Sequence, residues 1–292
     1  MKYWWESITT VAYWRYAIFS AEALAKFFSI LGMLYLLINL ADTFKIYEKG
    51  EYSNYGIFFL IAIATLFVVF TRRPVSRVVY KVPKKDYSFE VKIGDLFKEN
   101  GEIIISSNST FDTDMSSGLI STSSLQGQFA TIFFNGQTKE IDRQIEDSLS
   151  REKYVEVENK PGKKKQYPLG TVVRISTHGK NFYLVAMSHI NSEGTAYSNI
   201  RMLDEALEGL WSNMARKGEL GDMVMPLIGT GRGRVAMPRK KIIERVAQSF
   251  ADAAQEQVFS NKLSIIVHPD DASKFSLNLF QVRDYLSQSL NV

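Results

Sequence analysis

Two uncharged apolar runs organise the first quarter of the chain. Phe27–Ala41 is interrupted only by Ser29 and Asn39, and Tyr55–Phe70 only by Tyr55 itself and Thr65. Each falls slightly short of the ~20 residues that cross a bilayer as a helix, but the flanks extend them to spans of about 27–44 and 54–71. The polar segment Asp42–Asn54 between them is short, which predicts a transmembrane helical hairpin over 27–71. Ahead of it, residues 1–26 mix Trp4, Trp5, Tyr13, Trp14 and Tyr16 with scattered charges. That pattern predicts an amphipathic segment at the headgroup level, and it lacks the small-residue cleavage site of a removable signal peptide.

After Pro83 the pattern changes to alternating short apolar runs and helical repeats. Strands are predicted at Tyr87–Ile93, Glu102–Ser106, Thr171–Ser176, Phe182–Met187, Met223–Ile228 and Leu263–Val267. Helices are predicted at Leu125–Phe134, Thr138–Lys153, Thr195–Lys217 and Pro238 to about Gln257, with two short ones from Asp270 and Asn278. Ile141, Ile145 and Leu149 recur at helical spacing, as do Leu203, Leu207, Leu210 and Met214. Glu156–Tyr167, basic and carrying Pro161-Gly162, is expected as a loop. Alternation of this kind implies an α/β domain over 86–292 with a largely parallel sheet covered on both faces. Ligands in such sheets sit beyond the C-terminal strand ends. Three loops fall there: Ser107–Gly118, Gly229–Arg234 and the His268-Pro269-Asp270 exit.

Charge sharpens this division. Residues 72–85 contain Arg72, Arg73, Arg77, Lys81, Lys84 and Lys85 and only basic charges, so they are expected as a juxtamembrane linker. With Lys2, Arg15 and Lys26 ahead of the first span, the positive-inside rule puts both termini in the cytoplasm of a multi-pass protein. The basic cluster also suits anionic headgroups. The rest of the net charge of +4 is nearly balanced, which argues against a nucleic-acid surface. There is no cysteine, hence no disulfide or thiolate metal site. The three histidines, His178, His189 and His268, form no spaced metal motif, and no G-x-S-x-G marks a nucleophile. No catalytic or metal residue is therefore assigned. Asn39 suits a hydrogen bond between helices or a place at the interface.

Met225–Arg234 reads M-P-L-I-G-T-G-R-G-R, an apolar run driving into Gly229, Gly231 and Gly233. Glycines let the backbone approach a ligand closely, and N–H groups near a helix start attract phosphate. Arg232 and Arg234 add fork-shaped positive donors. The motif is neither G-x-G-x-x-G, whose third glycine would be Arg234, nor a P-loop, which needs G-K-[ST]. His189 and Asn191 follow a predicted strand into the same cleft, and His268 and Asp270 leave the last one. Lys163-Lys164-Lys165 is either a phosphate contact or a solvated charged loop.

Gly94-Asp95-Leu96-Phe97, then Ile103–Ile105 running into Ser106-Ser107-Asn108-Ser109, resembles the start of a macro domain. Pro226-Leu227-Ile228-Gly229-Thr230-Gly231 with Gly233 beyond it is similar to that family's diphosphate loop. The resemblance covers about residues 86–285 and implies an α/β/α sandwich that binds ADP-ribose and related nucleotides. It implies that Asp95, with Leu96 beside it, meets the adenine amino group, and that Asn108 lies near the distal ribose. Gly229, Thr230, Gly231, Arg232, Gly233 and the adjoining Arg234 would wrap the diphosphate. The family's glycine run after the asparagine is replaced here by Asp112–Gly118, and Ile105 stands at its first asparagine. These departures point to binding rather than hydrolysis. They also put Asp112, Asp114 and Gly118 where a positive or hydrogen-bonding substituent of the ligand would lie, or in a solvated turn.

A hairpin, a basic collar and a divergent macro domain, in that order, resemble the effectors of type II Thoeris anti-phage systems. That resemblance implies a receptor rather than an enzyme; the alternatives are a membrane-tethered ADP-ribosyl hydrolase and a non-binding membrane scaffold. It implies an ADP-ribose-derived signal (histidine-linked) made by a TIR-domain partner, no bound cofactor, homo-oligomerisation on activation, and disruption of the bacterial cell membrane.

Overall fold

A computed structural model of the chain describes residues 2–46, 55–217, 221–229, 235 and 237–290. It divides into two compact units, residues 1–76 with Asn278–Gln281, and residues 77–277 with 282–292.

In the first unit, the aromatic segment breaks into α1 (Lys2–Thr9) and α2 (Val11–Phe19). Ser20 then caps α3 (Ala21–Thr43), its Oγ accepting from the Ala23 N–H at 3.3 Å. α4 (Gly56–Thr71) is apolar throughout its core but only 16 residues long. At 1.5 Å per residue α3 spans ~34 Å and α4 ~24 Å, against a hydrocarbon thickness of ~30 Å. By length and composition, α3 is the single described helix long and apolar enough to cross a membrane. Of the expected pair of spans, one coincides with a helix of full length, while α4 is shorter than a bilayer crossing, and residues 47–54 between them lie outside the described residues.

Arg72, expected to face headgroups, is instead fully buried at the end of α4. Its guanidinium donates to Ser20 Oγ (3.0 Å) and pairs with Glu22 (3.3 Å), while its carbonyl accepts from the Tyr13 hydroxyl (3.0 Å). The reason is local: Ser20 and Glu22 at the start of α3 and Tyr13 on α2 supply the partners a buried guanidinium requires.

The second unit is built on one mixed sheet. Its strands are β1 (Arg77–Lys81), β2 (Ser88–Ile93) and β3 (Glu102–Asn108), then a separate hairpin of β4 (Val155–Glu156) and β5 (Lys165–Gln166). β6 (Val172–Thr177), β7 (Lys180–Ile190), β8 (Ala196–Tyr197), β9 (Met223–Pro226) and β10 (Lys262–Val267) complete it. The order is β1-β2-β10-β9-β3-β7-β6, with β8 on β7. β2, β10, β9, β3 and β7 run parallel, while β1, β6 and β8 are antiparallel additions.

The helices are α5 (Leu125–Phe134), α6 (Lys139–Leu149), α7 (Ile200–Lys217), α8 (Arg239–Glu256), α9 (Pro269–Lys274) and α10 (Leu279–Ser289). Strand side chains alternate, so each face has its own core. Ile103, Ile105, Phe182 and Leu184 pack with Phe129 of α5 and Ile141 and Ile145 of α6. Tyr87 and Phe89 meet Phe250 of α8, which in turn meets Trp211 of α7. The sheet is therefore covered on both faces.

Four sequence expectations change. The helix expected from Thr195 starts at Ile200, because Ala196–Tyr197 pairs with β7 as a strand. Part of the expected basic linker, Arg77–Lys81, is an edge strand, because Glu90 of β2 pairs with Arg77 and the strand pairs with β2 along its length. Part of the expected loop 156–167 is the β4–β5 hairpin. The expected helix over Thr138–Lys153 stops at Leu149, where the apolar repeat ends.

Candidate functional site

The strand order turns the C-terminal edge of the parallel sheet into a row. It runs from the end of β2 through β10, β9 and β3 to β7. Four strand spacings of ~4.8 Å make this row about 19 Å long. Candidate residues occupy every position along it.

At the β2 end, Gly94 N–H donates to Val267 O (3.0 Å) and the chain enters a single 3-10 turn, Leu96–Lys98. Asp95 caps that turn, accepting from the Phe97 N–H at 3.1 Å, and Lys98 lies 3.6 Å from its other oxygen. Its side chain stays about half exposed (48%) while Leu96 is buried, so an oriented carboxylate is presented above a fixed floor. After β10, His268 caps α9, its ring nitrogen accepting from the Asp270 N–H (3.4 Å); both side chains are exposed. After β9, Leu227 and Ile228 are buried, and Gly229 turns with φ +73°. An added Cβ at Gly229 would lie 3.1 Å from Val235, so the position favours glycine twice over. Thr230, Gly231, Arg232, Gly233 and Arg234 lie outside the described residues.

At the β3 end, Asn108 is buried and its Oδ1 accepts from Thr110 N–H (3.0 Å) and Asp112 N–H (3.2 Å), with the Thr110 hydroxyl oxygen 2.9 Å away. The amide oxygen therefore shapes its own loop, which turns through Phe111 at φ +49°. Asp112 is placed differently from the expectation. Its carboxylate is buried and accepts from Thr110, the Lys163 N–H (2.6 Å) and the Lys160 ammonium (3.4 Å). A ligand-facing acid would need access that these partners occupy, so Asp112 ties the asparagine loop to the segment 160–163.

Asp114 and Gly118 are exposed in the same loop. Hydrogen bonds from Ser116 and Ser117 hold the Asp114 carboxyl down at about 2. Within the lysine run Lys163 is half-buried and structural, while Lys164 and Lys165 are exposed. Lys163 Nζ reaches Phe111 O and Asp142, Lys164 Nζ reaches two carbonyls, and Lys165 lies over the Tyr154 ring.

At the β7 end, Ser109 joins the loop to the strand. Its N–H donates to Ser188 O (2.7 Å), its carbonyl accepts from Tyr167 N–H (2.8 Å), and its Oγ lies 2.7 Å from His189 Nδ1. Burial pulls the His189 pKa below its ordinary value, opposed by the nearby Glu205 carboxylate. The ring is therefore neutral at pH 7. With Ser109 only 1% exposed, its hydroxyl is a support for the ring and has no access as a nucleophile. Asn191 does not join His189. Its Oδ1 accepts from Glu193 and Thr195 N–H groups and closes the 191–195 turn.

Beside His189 lies a cavity of about 360 Å³, whose walls include Tyr154, Tyr167, Leu169, Met202 and Glu205. Sequence reasoning missed Tyr154, Tyr167 and Glu205. Tyr154 and Tyr167 flank the β4–β5 hairpin and Glu205 lies on α7, so they share no local spacing.

The family model described as Thoeris protein ThsA, Macro domain matches residues 89–268. Thoeris protein ThsA of Bacillus amyloliquefaciens (strain Y2) is 24% identical over 212 residues, covering 69% of this chain and 68% of that protein. Among solved structures, a point mutant of the Oceanobacillus iheyensis macrodomain aligns at 14% identity and TM-score 0.49, covering 74% of this chain and 98% of that one. The same macrodomain with ADP aligns at 14% identity and TM-score 0.46, over 73% and 94%.

Proposed function

We propose, because this chain belongs to the family of the Thoeris protein ThsA macro domain, that it is a membrane-anchored receptor and effector for an ADP-ribose-derived signal. It is a Thoeris effector carrying a macro domain. The observation that carries the reading is the row along the C-terminal sheet edge. Asp95, Gly229 and Asn108 stand there in strand order, which supports reading them as the adenine, diphosphate and distal-ribose contacts. The signal is a histidine-linked ADP-ribose or a close relative, made by a TIR-domain partner. The receptor has no catalytic step of its own and keeps both termini in the cytoplasm.

The membrane part of the reading rests on the first unit. α3 buries only Ala23, and α4 only Ala64 and Val68. Phe28, Leu36, Leu37, Phe58, Phe59 and Phe67 are exposed, a surface suited to lipid and poorly suited to water. α4 reaches across a bilayer when flanking residues extend it or the bilayer thins locally. Ligand binding favours self-association because contacts to the ligand differ between free and assembled states.

The test uses the full chain in lipid nanodiscs and in micelles. Calorimetry with ADP-ribose, NAD and histidine-linked ADP-ribose measures binding, light scattering follows mass, and dye release from vesicles reports membrane damage. Tight binding of intact ligand, growth in mass and release support the reading. Gly231→Glu is expected to abolish all three while the protein stays in the membrane; retained signalling removes the diphosphate assignment. Turnover of an ADP-ribosylated protein replaces the receptor with a hydrolase.

A further inference from the structure

α1 and α2 are far too short to cross a bilayer, yet they carry large apolar side chains outward. Tyr3 and Ser7, then Tyr13 and Ala17, recur at helical spacing and are buried. The outer side bears Trp4, Trp5, Val11 and Phe19, between 40% and 82% exposed, with the exposed Arg15 among them. Tryptophan, apolar bulk and a long cation that snorkels make up the composition of a helix lying in the headgroup layer. Two side-chain bonds fix the turn between the helices. Trp14 Nε1 donates to Ile8 O (2.7 Å), and the Thr10 hydroxyl donates to Glu6 O (2.6 Å).

A second set of contacts fixes where this aromatic ledge meets the longer helices. Ser20 is at once the last cap of α2 and the first of α3, and Arg72 is the last cap of α4. The fully buried Arg72 guanidinium donates to Ser20 Oγ (3.0 Å) and pairs with Glu22 (3.3 Å), while its carbonyl accepts from Tyr13 on α2 (3.0 Å). The ledge, the start of α3 and the end of α4 are therefore one bonded joint. Arg73 lies 4.5 Å over the Phe70 ring, a cation drawn back onto the last apolar turn of α4. From this joint α3 is long enough to cross, whereas α4 at ~24 Å falls ~6 Å short of a hydrocarbon layer of ~30 Å. A short helix free at both ends would share such a shortfall between the leaflets. One bonded at a single end does not.

We propose that α1 and α2 lie in the headgroup layer of the leaflet where α3 begins and α4 ends, and hold the end of α4 level with it, so that the whole shortfall of α4 falls on the opposite leaflet. The inference rests on the membrane reading above and adds which leaflet gives way. Lipid is the occupant of the ledge, because its exposed apolar side chains continue from Phe19 to Leu24 and Phe28 on α3, the surface which that reading gives to lipid. Local thinning relieves the mismatch, and the joint confines it to one side.

The experiment uses the full chain in vesicles of phosphatidylcholine and phosphatidylglycerol. The absence of cysteine from the sequence lets one be placed at either end of α4, at Ile57 or Phe70, each second from an end and similarly exposed. A water-soluble maleimide on both sides of the membrane labels each variant, and each rate is divided by that of the same variant in detergent. Ile57→Cys is expected to react about fivefold or more faster than Phe70→Cys, and adding Trp4→Ser with Trp5→Ser is expected to bring that ratio below about twofold. In the parent, nitroxide lipids labelled at the headgroup are expected to quench tryptophan emission more than lipids labelled at the chain end; Trp211, buried in the second unit, contributes little to this signal. Equal labelling of both cysteines at rates well below those in detergent, or a ratio that survives loss of both tryptophans, overturns the ledge. So does emission shielded from lipid probes and from aqueous acrylamide alike, the result expected if a second copy covers it. Failure of the parent to float with the vesicles instead overturns the membrane reading on which the ledge depends.

Discussion

Replacing Asp112 by alanine separates a structural acid from a ligand contact. The Asp112 and Lys160 side chains are 2% and 1% exposed and lie 3.4 Å apart. Removing the carboxylate strands the Lys160 ammonium, with Pro161 O at 3.0 Å as its remaining protein acceptor in the segment, and releases the Lys163 N–H. Breaking a buried pair from one side costs about 3–5 kcal/mol. For a unit of this size each kcal/mol moves the melting temperature by ~2–4 °C, so Asp112→Ala is expected to lower it by roughly 6–20 °C. The assay is thermal melting of the full chain in micelles, followed by tryptophan fluorescence. Adding Lys160→Met removes the stranded charge, and an apolar replacement of a buried pair is often near neutral. The double variant should therefore recover most of the loss. A shift below 2 °C for the single variant, or no recovery in the double, refutes the structural role and returns Asp112 to the ligand.

Three further outcomes follow from other parts of the fold. Asp95→Ala removes an exposed cap acceptor and is expected to weaken binding of adenine-bearing ligands tenfold or more with little change in melting temperature; equal loss for ribose 5-phosphate would contradict the adenine assignment. Gly209→Ala would set a Cβ 2.7 Å from Gly170 Cα, backbone against backbone, so α7 must move from the turn before β6; a cost of ~1–3 kcal/mol is expected, measured by melting. His189 has a folded pKa below its unfolded value of ~6.5, so the unfolded chain binds the proton more readily; the His189 contribution to stability is whole above pH ~6.5 and is lost as pH falls through the folded value. Melting temperature against pH for parent and His189→Gln checks this, and identical slopes below pH 6.5 would sink it.

Most of the fold was legible because hydrophobic period is a local property. Leu125–Phe134 matches α5 residue for residue, and the five parallel strands sit within a few residues of the apolar runs that mark them. Asp95, Gly229 and Asn108 were also legible, since turns at strand ends are written in neighbouring residues. What is non-local was not. Arg77–Lys81 reads as a charged linker until Glu90 and the open edge of β2 give it partners. Arg72 reads as a headgroup contact until Ser20, Glu22 and Tyr13 surround it.

The sequence by itself determined two things: an apolar, membrane-suited beginning followed by an alternating α/β unit, and the chemistry at each strand end. Both depend on residues within a turn or two of each other. Only the tertiary structure decided which strand ends are neighbours, and hence that Asp95, Gly229, Asn108 and His189 stand in one row. It also turned Asp112 inward onto Lys160, and brought Tyr154, Tyr167 and Glu205 together around one cavity. Parallel pairing imposes this dependence, because every crossover separates neighbouring strand ends by many residues along the chain.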